Sequence, residues 1–318
     1  MDTKHTVLQT LEKNKGTAVS GSRLAEDTGV SRTAIWKAIA SLREDGYSIV
    51  SKTNKGYMLS TDSDILSAEA IGPLLRHDVP VHIFDSLEST NKTAAAMAMD
   101  GASHGTVVIA GEQTGGRGRR GRSFYSPKDT GLYMSIILQP DHDISKAVLV
   151  TAATAVAVSQ AIDLVSGKKS SIKWVNDIYL GNKKISGTLT EALTDFETGQ
   201  ISHIVSGIGI NCSTEDFPDS AGENAGSLGG GFSRNTLAAA VIDNLLDAAD
   251  HLADRSFIED YRARSMILGK EINVYHTIGG EPESAVAKDI DEDGGLIVEL
   301  ADGSLDTLST GEITIRLK

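Results

Sequence analysis

Eight residues near the middle of the chain, Gly115 to Arg122, read GGRGRRGR and place four arginines among four glycines. The planar guanidinium group binds phosphate and carboxylate oxygens through paired N–H groups. Glycine lets the backbone approach a ligand closely because it has no side chain. The stretch therefore predicts a loop that clamps a compact, multiply charged anion.

Three other kinds of loop share part of this pattern. Gly116-x-Gly118-x-x-Gly121 fits the dinucleotide fingerprint, but that fingerprint needs a helix after the third glycine, and Pro127 interrupts one. A Walker A loop ends in Gly-Lys-Ser or Gly-Lys-Thr, which does not follow here. Arg-Gly tracts that bind RNA belong to low-complexity segments, whereas two strand-like stretches flank this loop. The anion clamp is the favoured interpretation.

Two more stretches carry groups suited to phosphate chemistry. Lys183 and Lys184 end a predicted tight hairpin, and Asn176 and Asp177 follow the strand-like IKW. Adjacent lysines at a hairpin are usually solvated, and Asp177 is also an ordinary turn residue. Residue types alone leave both the structural and the catalytic interpretation open.

Alternating strands and helices must position these residues. The pattern from Val81 predicts a mixed α/β domain, with strands at 81–84, 106–113, 132–138, 172–174, 185–193 and 203–211, and helices at 89–99, 145–165 and 234–252. Residues 212–234 are polar and rich in glycine, and loops of this length without regular structure are usually functional lids or disordered. Beyond residue 270, apolar alternation separated by Asp-Gly and Gly-Gly turns predicts a small all-β domain.

The first sixty residues differ in charge from the rest. They hold nine Lys or Arg and six Asp or Glu, a net of +3, whereas residues 61–318 hold 21 and 37, a net of −16. Short helices are predicted at 6–14 and 22–28. Ser31 is a good N-cap for a third helix, whose buried face is Ile35, Ala38, Ile39 and Leu42. Trp36 should then lie on the wet face.

A helix-turn-helix followed by a basic hairpin at 52–56 resembles a winged helix. The third helix would enter the major groove of DNA, and the wing lysines would contact phosphates. The DNA-binding residues would be Ser22, Ser31, Arg32, Thr33, Trp36, Lys37, Lys52 and Lys55. Similar three-helix units also bind proteins. A module of +3 binds DNA weakly alone, so the DNA hypothesis implies a dimer on two half-sites.

Bulk composition excludes some other classes of protein. Cys212 is the only cysteine, so no intrachain disulfide forms, which fits a reducing cytoplasm. The N-terminus lacks the apolar core of a secretion signal, and we expect no apolar run to approach bilayer length. We expect a cytoplasmic protein without membrane contact.

The domain organisation follows from these patterns. We predict a multidomain α/β (α+β) protein with a winged helix-turn-helix at 1–62, a linker at 60–72, a central mixed α/β domain at 66–268 and a small β-domain at 269–318.

Five motifs in order carry a resemblance to a known family. They are Glu88-Ser-Thr-Asn91, Glu112 to Arg122 with Ser126-Pro127, Lys173 to Leu180, Lys183-Lys-Ile-Ser-Gly187, and Gly207-Ile-Gly-Ile-Asn211. With the winged helix, the chain resembles the bifunctional biotin–protein ligases that also repress biotin genes. The family usually has proline where this chain has Val175. The resemblance implies an SH3-like barrel for the C-terminal β-domain.

The resemblance also implies a two-step reaction. Biotin and ATP, with Mg²⁺, would give biotinyl-5′-AMP, and a lysine of biotin carboxyl carrier protein would then take the biotin. The catalytic residues would be Lys184 and Arg119. The biotin-binding residues would be Ser89, Thr90, Asn91, Gln113, Gly116, Arg117, Gly118, Arg119, Lys184, Gly187 and Gly207. The ATP-binding residues would be Arg122, Trp174, Asn176, Asp177 and Asn211, with Asp177 also the metal ligand. Biotinyl-AMP would favour a homodimer that binds operator DNA.

Two alternatives stay open. One is a ligand-sensing transcription regulator without ligase activity, for which Lys184 beside an arginine-rich loop has no use. The other is a lipoate ligase, which would have an Arg-Arg then Gly-Gly-Gly arrangement in place of the loop found here.

Overall fold

The structure is a computed structural model that describes residues 2–139, 147–195, 199–276, 280–309 and 314–317. The chain divides into two compact units, the first formed by 1–76 and 233–239 and the second by 77–232 and 240–318. The start of the helix predicted at 145–165, and residues 277–279, 310–313 and 318 of the predicted C-terminal β-domain, lie outside the described residues.

The first unit contains three helices followed by a hairpin and a short fourth helix. These are α1 (Thr3–Lys13), α2 (Gly21–Thr28), α3 (Arg32–Glu44), β1 (Ile49–Lys52), β2 (Gly56–Leu59) and α4 (Ala68–Ile71). Ser31 caps α3 by accepting from the N–H of Ala34, and Gly29 ends α2 at a φ of 67°.

The predicted core face of α3 is confirmed. Ile35, Ala38, Ile39 and Leu42 are buried against α1 and α2, while Trp36 is 60% exposed. The segment predicted as a linker is packed instead. Ile71 is fully buried, and the carboxylate of Asp64 accepts from the backbone and guanidinium of Arg234 at 2.8 and 2.9 Å.

The second unit is built on a seven-stranded sheet in the order β3-β4-β5-β9-β8-β7-β6, in which only the β3–β4 pair is parallel among the described strands. Its strands are β3 (Val81–Phe84), β4 (Val107–Ala110), β5 (Gly131–Leu138), β6 (Ser171–Lys173), β7 (Asp177–Leu180), β8 (Lys183–Thr194) and β9 (Ile201–Asn211). Its helices are α5 (Thr90–Met99), α6 (Ala147–Ser166), α7 (Arg234–Asp250, residues 240–250 in this unit) and α8 (Phe257–Arg264).

Helices α5 and α6 cover opposite faces of this sheet. Val205 packs against Ala94 and Ala98 of α5, whereas the hydroxyl of its neighbour Ser206 bonds with that of Thr154 on α6 at 2.8 Å. Consecutive side chains of a strand point to opposite faces. The short helix α5 leaves part of its face open, and the candidate site lies there.

Helix α6 corrects one prediction. Val148–Ser166 is apolar and long enough to pass a composition test for a membrane span, with a mean hydropathy of 1.8. The expectation that no run approaches bilayer length is therefore wrong, because alanine and valine make up much of this helix. Since 67% of the stretch is buried inside the protein, it is a core helix of this fold.

The C-terminal strands form an antiparallel sheet, which confirms the all-β prediction. The sheet has the order β13-β12-β11-β10-β14, with β10 (Glu271–Tyr275), β11 (Glu283–Ile290), β12 (Leu296–Leu300), β13 (Leu305–Leu308) and β14 (Thr314–Leu317). The fold class predicted from the sequence, a multidomain α/β protein with an N-terminal helix-turn-helix, is confirmed.

Candidate active site

A cleft of about 1090 Å³ opens on the α5 face of the central sheet. Most of the residues singled out from the sequence line it: Ser89, Thr90, Asn91, Gln113, Arg117, Gly118, Arg119, Arg122, Trp174, Asn176, Asp177, Lys184, Gly187 and Gly207. Gly116 and Asn211 lie outside this lining. Segments far apart in sequence thus converge on one cavity.

Glycines make the floor of the cleft. A Cβ built on Gly207 would lie 2.1 Å from Oδ1 of Asn91, and one on Gly209 would lie 2.5 Å from the ring of Phe124. Gly116 packs equally closely, since its Cβ would lie 2.4 Å from the carbonyl oxygen of Phe124. Gly116 was predicted to bind the ligand, but here its lack of a side chain lets the backbone pack closely beneath the loop.

One end of the cleft is lined by uncharged polar groups. Ser89 precedes α5 and makes no capping hydrogen bond. Oε1 of Gln113 accepts from the backbone N–H of Thr90 at 2.9 Å, and its Nε2 donates to the hydroxyl of Ser126 at 3.0 Å. Ser89, Thr90 and Asn91 are 3 to 6% exposed. Such a pocket suits a neutral, hydrogen-bonding ring.

The arginine-rich loop is a tight hairpin. The N–H of Phe124 donates to the carbonyl of Gly116 at 2.9 Å, and the N–H of Gly118 donates to that of Arg122 at 2.7 Å. Arg120 sits at the tip with a φ of 59°, a left-handed conformation that non-glycine residues adopt uncommonly. This turn aims its neighbour Arg119 into the unit.

Arg119 is the arginine most enclosed by the site. Its Nη1 donates to Oδ1 of Asn176 at 3.1 Å. Burial lowers the pKa of Arg119, and the nearby carboxylate of Asp177 partly opposes that shift. A guanidinium that is partly desolvated and held by neutral partners is a strong binder for an incoming anion.

Lys184 lies across the cleft from Arg119, and its side chain has a different partner from that of Lys183. Its Nζ is 2.6 Å from Oδ1 of Asp177, across the β7–β8 pair. Lys183 turns away and donates to the carbonyl of Glu223 at 3.0 Å. Gly187 leaves room for the pair, because a Cβ there would lie 3.4 Å from Nζ. Two cations, Arg119 and Lys184, thus flank one carboxylate.

Asn176 and Trp174 position neighbouring groups. Nδ2 of Asn176 donates to the carbonyl of Thr188 at 2.6 Å, so both ends of its amide are engaged. Trp174 is 6% exposed, and its indole N–H donates to the carbonyl of Gly294 at 3.0 Å. The buried hydroxyl of Tyr261 donates to the carbonyl of Val175 at 2.8 Å, and burial raises its pKa. The segment 174–176 is therefore held by Gly294 and Tyr261 on one side and by Thr188 on the other.

The polar segment after Asn211 lies alongside the start of strand β8 and is hydrogen-bonded to it. The N–H of Lys184 donates to the carbonyl of Asn224, and that of Gly226 donates back to Lys184, at 2.7 and 2.9 Å. Nδ2 of Asn211 donates to the carbonyl of Gly226 at 3.0 Å, so Asn211 anchors this segment from outside the cleft. Residues 220–225 line the cleft beside Lys184.

Sequence reasoning missed several residues that hold this site: Phe124, Ser135, Glu191, Tyr261 and Gly294. Each acts through partners distant in sequence. Ser135 is 44 residues from Asn91, and Glu191 is 100 residues from it. No local pattern signals such a contact.

Metal-ligating groups are sparse in the part of the chain that the structure describes. No cluster of three or more His, Cys, Asp or Glu side chains is arranged to hold a metal ion there. Asp177 offers one carboxylate in the cleft. A single carboxylate fits Mg²⁺ that arrives mainly bound to a nucleotide's phosphates, as this ion commonly does.

The predicted DNA-binding residues lie in the first unit and are solvent-exposed: Ser22, Ser31, Arg32, Thr33, Trp36, Lys37, Lys52 and Lys55. The guanidinium of Arg32 donates to the hydroxyl of Ser22. Ser31 is engaged as the cap of α3, which limits what else its side chain contacts. Lys52 and Lys55 flank the β1–β2 turn, as the wing interpretation expects.

Comparisons with known proteins cover nearly the whole chain. The profile of the Biotin/lipoate A/B protein ligase family matches residues 83–211, an HTH domain profile matches 3–58, and the Biotin protein ligase C terminal domain matches 267–316. The bifunctional ligase/repressor BirA of Bacillus subtilis (strain 168) is 38% identical over 72% of this chain and 71% of its own length.

A second relative extends further. The bifunctional ligase/repressor BirA of Escherichia coli (strain K12) is 33% identical over 93% of this chain and 92% of its own length. Among solved structures, a biotin protein ligase from Aquifex aeolicus in complex with biotin and ATP has a TM-score of 0.65 at 24% identity. It covers 75% of this chain and 99% of its own. That likeness shows the fold.

Proposed function

The chain belongs to the biotin–protein ligases and, among them, to the bifunctional ligase/repressors, and from that premise we propose how its residues perform both tasks. It is an ATP-dependent biotin–protein ligase that carries a DNA-binding repressor domain. Biotin and ATP are its substrates. The roles of individual residues, Mg²⁺, the homodimer and the domain limits 1–62, 66–268 and 269–318 are proposals.

The neutral end of the cleft takes the ureido ring of biotin. Thr90, Asn91 and Gln113 offer fixed hydrogen-bonding groups there, and Ser89 makes no capping bond that would compete. Gly207 and Gly209 let Asn91 and Phe124 pack directly against the floor. Arg117 and Gly118 close over the acid from the loop, and Gly116 supports that loop from below.

The charged end of the cleft activates the carboxylate. One carboxylate oxygen of biotin attacks the α-phosphorus of ATP, an O–P bond forms, and the bond to the β-phosphate oxygen breaks as pyrophosphate leaves. Negative charge from two anions meets at this point. Lys184, held 2.6 Å from Asp177, and Arg119 stabilise that charge because they are already in place.

Nucleotide contacts complete this end. Arg122 and Trp174 line the cleft and are suited to phosphate and base, while Asn176 orients Arg119. Asp177 would hold Mg²⁺, which would supply charge neutralisation for the pyrophosphate leaving group. Asn211 would not contact the nucleotide itself but would anchor the segment that covers it.

In the second step the ε-amine of a carrier lysine attacks the acyl carbon of biotinyl-5′-AMP. An amide bond forms, the acyl–phosphate bond breaks, AMP leaves, and the amine loses a proton to solvent. Arg119 and the loop shield the anhydride from water until the carrier docks. Biotin carboxyl carrier protein is the proposed acceptor.

The first unit links this reaction to transcription. Its exposed recognition helix and basic wing suit one half-site of operator DNA. We propose that biotinyl-AMP favours a homodimer, which places two such units on a two-fold operator. A cytoplasmic location fits, since ATP and DNA are both available there.

The pairing of Lys184 with Asp177 opposite Arg119, at the end of a neutral pocket, carries this proposal. Its test is pyrophosphate release from Mg-ATP with biotin, lipoate, octanoate or no acid. Release with biotin alone supports the assignment. Release with lipoate instead would reassign the acid, and no release with any acid would favour a ligand-sensing regulator.

A further inference from the structure

The third helix of the first unit, α3, carries one large apolar side chain that the unit does not cover. Trp36 is 60% exposed, whereas Ile35 and Ile39 on the same helix are buried in the core. A single exposed aliphatic residue is ordinary on a protein surface. Indole is the largest apolar side chain, however, and phosphate binding by a winged helix has no use for it.

The fold holds the backbone at Trp36 in place. Oγ of Ser31 accepts from the N–H of Ala34 at 3.2 Å and so caps α3. The buried side chains of Ile35 and Ile39 lie on either side of Trp36 in sequence, within one turn of helix. A ligand that meets this indole therefore meets a helix already anchored to the core, which lowers the entropy lost on binding.

The face of α3 around Trp36 is polar and cationic. Arg32 and Thr33 lie four and three residues before Trp36, so they share its side of the helix, and Lys37 follows it. All three are exposed. Glu44, the last residue of α3, is its only acidic residue. An apolar group among cations suits a ligand that is negative overall and carries apolar points on its surface.

Duplex DNA is a ligand of this kind. Its phosphates are negative, and its major groove admits an α-helix that reaches the edges of the bases. Hydrogen-bonding groups dominate those edges, but thymine also presents a 5-methyl group. Indole has one N–H donor and no acceptor. Most of its surface can therefore make only apolar contact, and the thymine methyl group is the apolar partner that the groove offers.

Trp36 lies in the half of α3 that would reach the bases. It is the fifth residue of the helix, and the N-terminal residues of a recognition helix contact base edges. Long side chains on a helix lean towards its N-terminus, so we expect the indole to lie over the first turn. The guanidinium of Arg32, in that turn, donates to the hydroxyl of Ser22 on α2. Trp36 is the largest side chain on this exposed face.

We propose that Trp36 is a specificity-determining residue that reads thymine in the operator, through apolar contact with its 5-methyl group in the major groove. This inference rests on the proposed function, in which α3 enters that groove. Contacts to phosphates give affinity for any duplex, whereas contacts to base edges give preference among sequences. Lys37 and the wing lysines would supply the first, and Trp36 the second.

The test is a double-mutant cycle between protein and DNA. The full wild-type chain, with biotin and Mg-ATP, first selects its preferred duplex from a pool of random sequence. Each thymine of that duplex is then replaced in turn by deoxyuridine, which lacks only the methyl group. Fluorescence anisotropy gives the Kd of the wild type and of Trp36→Ala for every duplex.

The expected result is a penalty that depends on Trp36. At one or more thymines of each half-site, deoxyuridine should weaken wild-type binding about four-fold, the scale of one buried methyl group. Trp36→Ala should bind the thymine duplex about thirty-fold more weakly and should no longer distinguish thymine from deoxyuridine. Trp36→Phe keeps an apolar ring and should retain a preference of about two-fold for thymine.

Two controls separate base reading from phosphate binding. For a duplex of scrambled sequence, the Kd of Trp36→Ala should differ from that of the wild type by less than about two-fold, and the slope of log Kd against log salt should not change. Lys37→Ala removes a cation beside Trp36 and leaves the indole in place. It should lower the salt slope by about one for both duplexes and keep the thymine preference.

Three outcomes would overturn the proposal. The first is wild-type binding that deoxyuridine leaves unchanged at every thymine. The second is a deoxyuridine penalty of equal size in Trp36→Ala, because the methyl group would then act through the shape of the duplex. The third is an equal loss for selected and scrambled duplexes, which would assign Trp36 to the sugar–phosphate backbone. A wild-type chain that selects no duplex would overturn operator binding itself, and this inference with it.

Discussion

Two groups of cations in this chain are arranged in opposite ways. In the cleft, Arg119 is partly buried against Asn176, and Lys184 is paired with Asp177. In the first unit, Lys37, Lys52 and Lys55 project from a helix and a hairpin into solvent. Both groups would meet phosphate. The two groups differ in how strongly their cationic side chains are hydrated before phosphate binds.

The difference follows from the size of the anion. A small ligand offers few contacts, so its site must hold cations in place and partly dry, where each interaction is stronger. A long polyanion offers many phosphates, and binding gains from counterions released at each one. Solvated lysines suffice for DNA, whereas chemistry at one phosphorus requires prepositioned groups.

The largest expected effect lies in the prepositioned group. Lys184→Ala should slow biotinyl-AMP formation about 1000-fold, as when one transition-state donor is removed, while biotin binding weakens but persists. Lys183→Ala is the matched control, because Lys183 does not line the cleft and its amine donates to the backbone carbonyl of Glu223. Pyrophosphate release measures both variants. Normal turnover in Lys184→Ala would remove the catalytic assignment.

Deleting residues 1–62 should separate the two groups entirely. Operator binding should be lost, while ligation should remain within about ten-fold, because every residue that lines the cleft belongs to the second unit. Gel shifts and a carrier-biotinylation assay follow the two activities. An inactive ligase would show that the two groups depend on each other.

Arg119→Gly should damage retention of the intermediate more than its formation. Without the guanidinium, biotinyl-AMP should escape and biotinylate bystander proteins, because the loop then loses the cation that Asn176 holds over the cleft. Labelling of serum albumin added to the reaction, against Arg120→Gly as control, measures the leak. Strict selectivity for the carrier in Arg119→Gly would contradict the shielding role.

The wing lysines should give a smaller, salt-dependent effect. Lys52→Ala with Lys55→Ala should weaken operator binding about ten-fold and lower the slope of log Kd against log salt by about two. Fluorescence anisotropy over a salt series checks both numbers. An unchanged slope would mean that the wing does not contact phosphates.

The segment after Asn211 should show the smallest effect. Biotin with Mg-ATP should protect residues 212–234 from limited proteolysis several-fold, because this segment borders Lys184 and the nucleotide end of the cleft. Cleavage rates are compared with and without ligands on one gel series. Equal rates would argue against a lid.

The sequence predicted the DNA-binding unit well because its signals are local. The periodicity of Ile35, Ala38, Ile39 and Leu42, with Ser31 as cap, lies within one helix. The packing of 64–71 was missed, since Asp64 finds its partner Arg234 170 residues further on.

Most of the site residues that the motifs predicted line the cleft. The support behind them was invisible to local patterns. Ser135 and Glu191 meet Asn91 through strand register, and Trp174 meets Gly294 120 residues away. Gly116 and Asn211 do not line the cleft. The motifs did not reveal this, since a motif contains both residues that contact a ligand and residues that support them.

Salt dependence tests the contrast between the two groups most directly. Biotin-dependent pyrophosphate release and operator binding should be measured on the same preparation from about 50 to 200 mM salt, where phosphate contacts of DNA-binding proteins weaken strongly. The account predicts a steep loss of operator affinity and a nearly constant KM for biotin. Parallel losses in both activities would contradict it, since cations prepositioned in the cleft would then be as exposed as those on the wing.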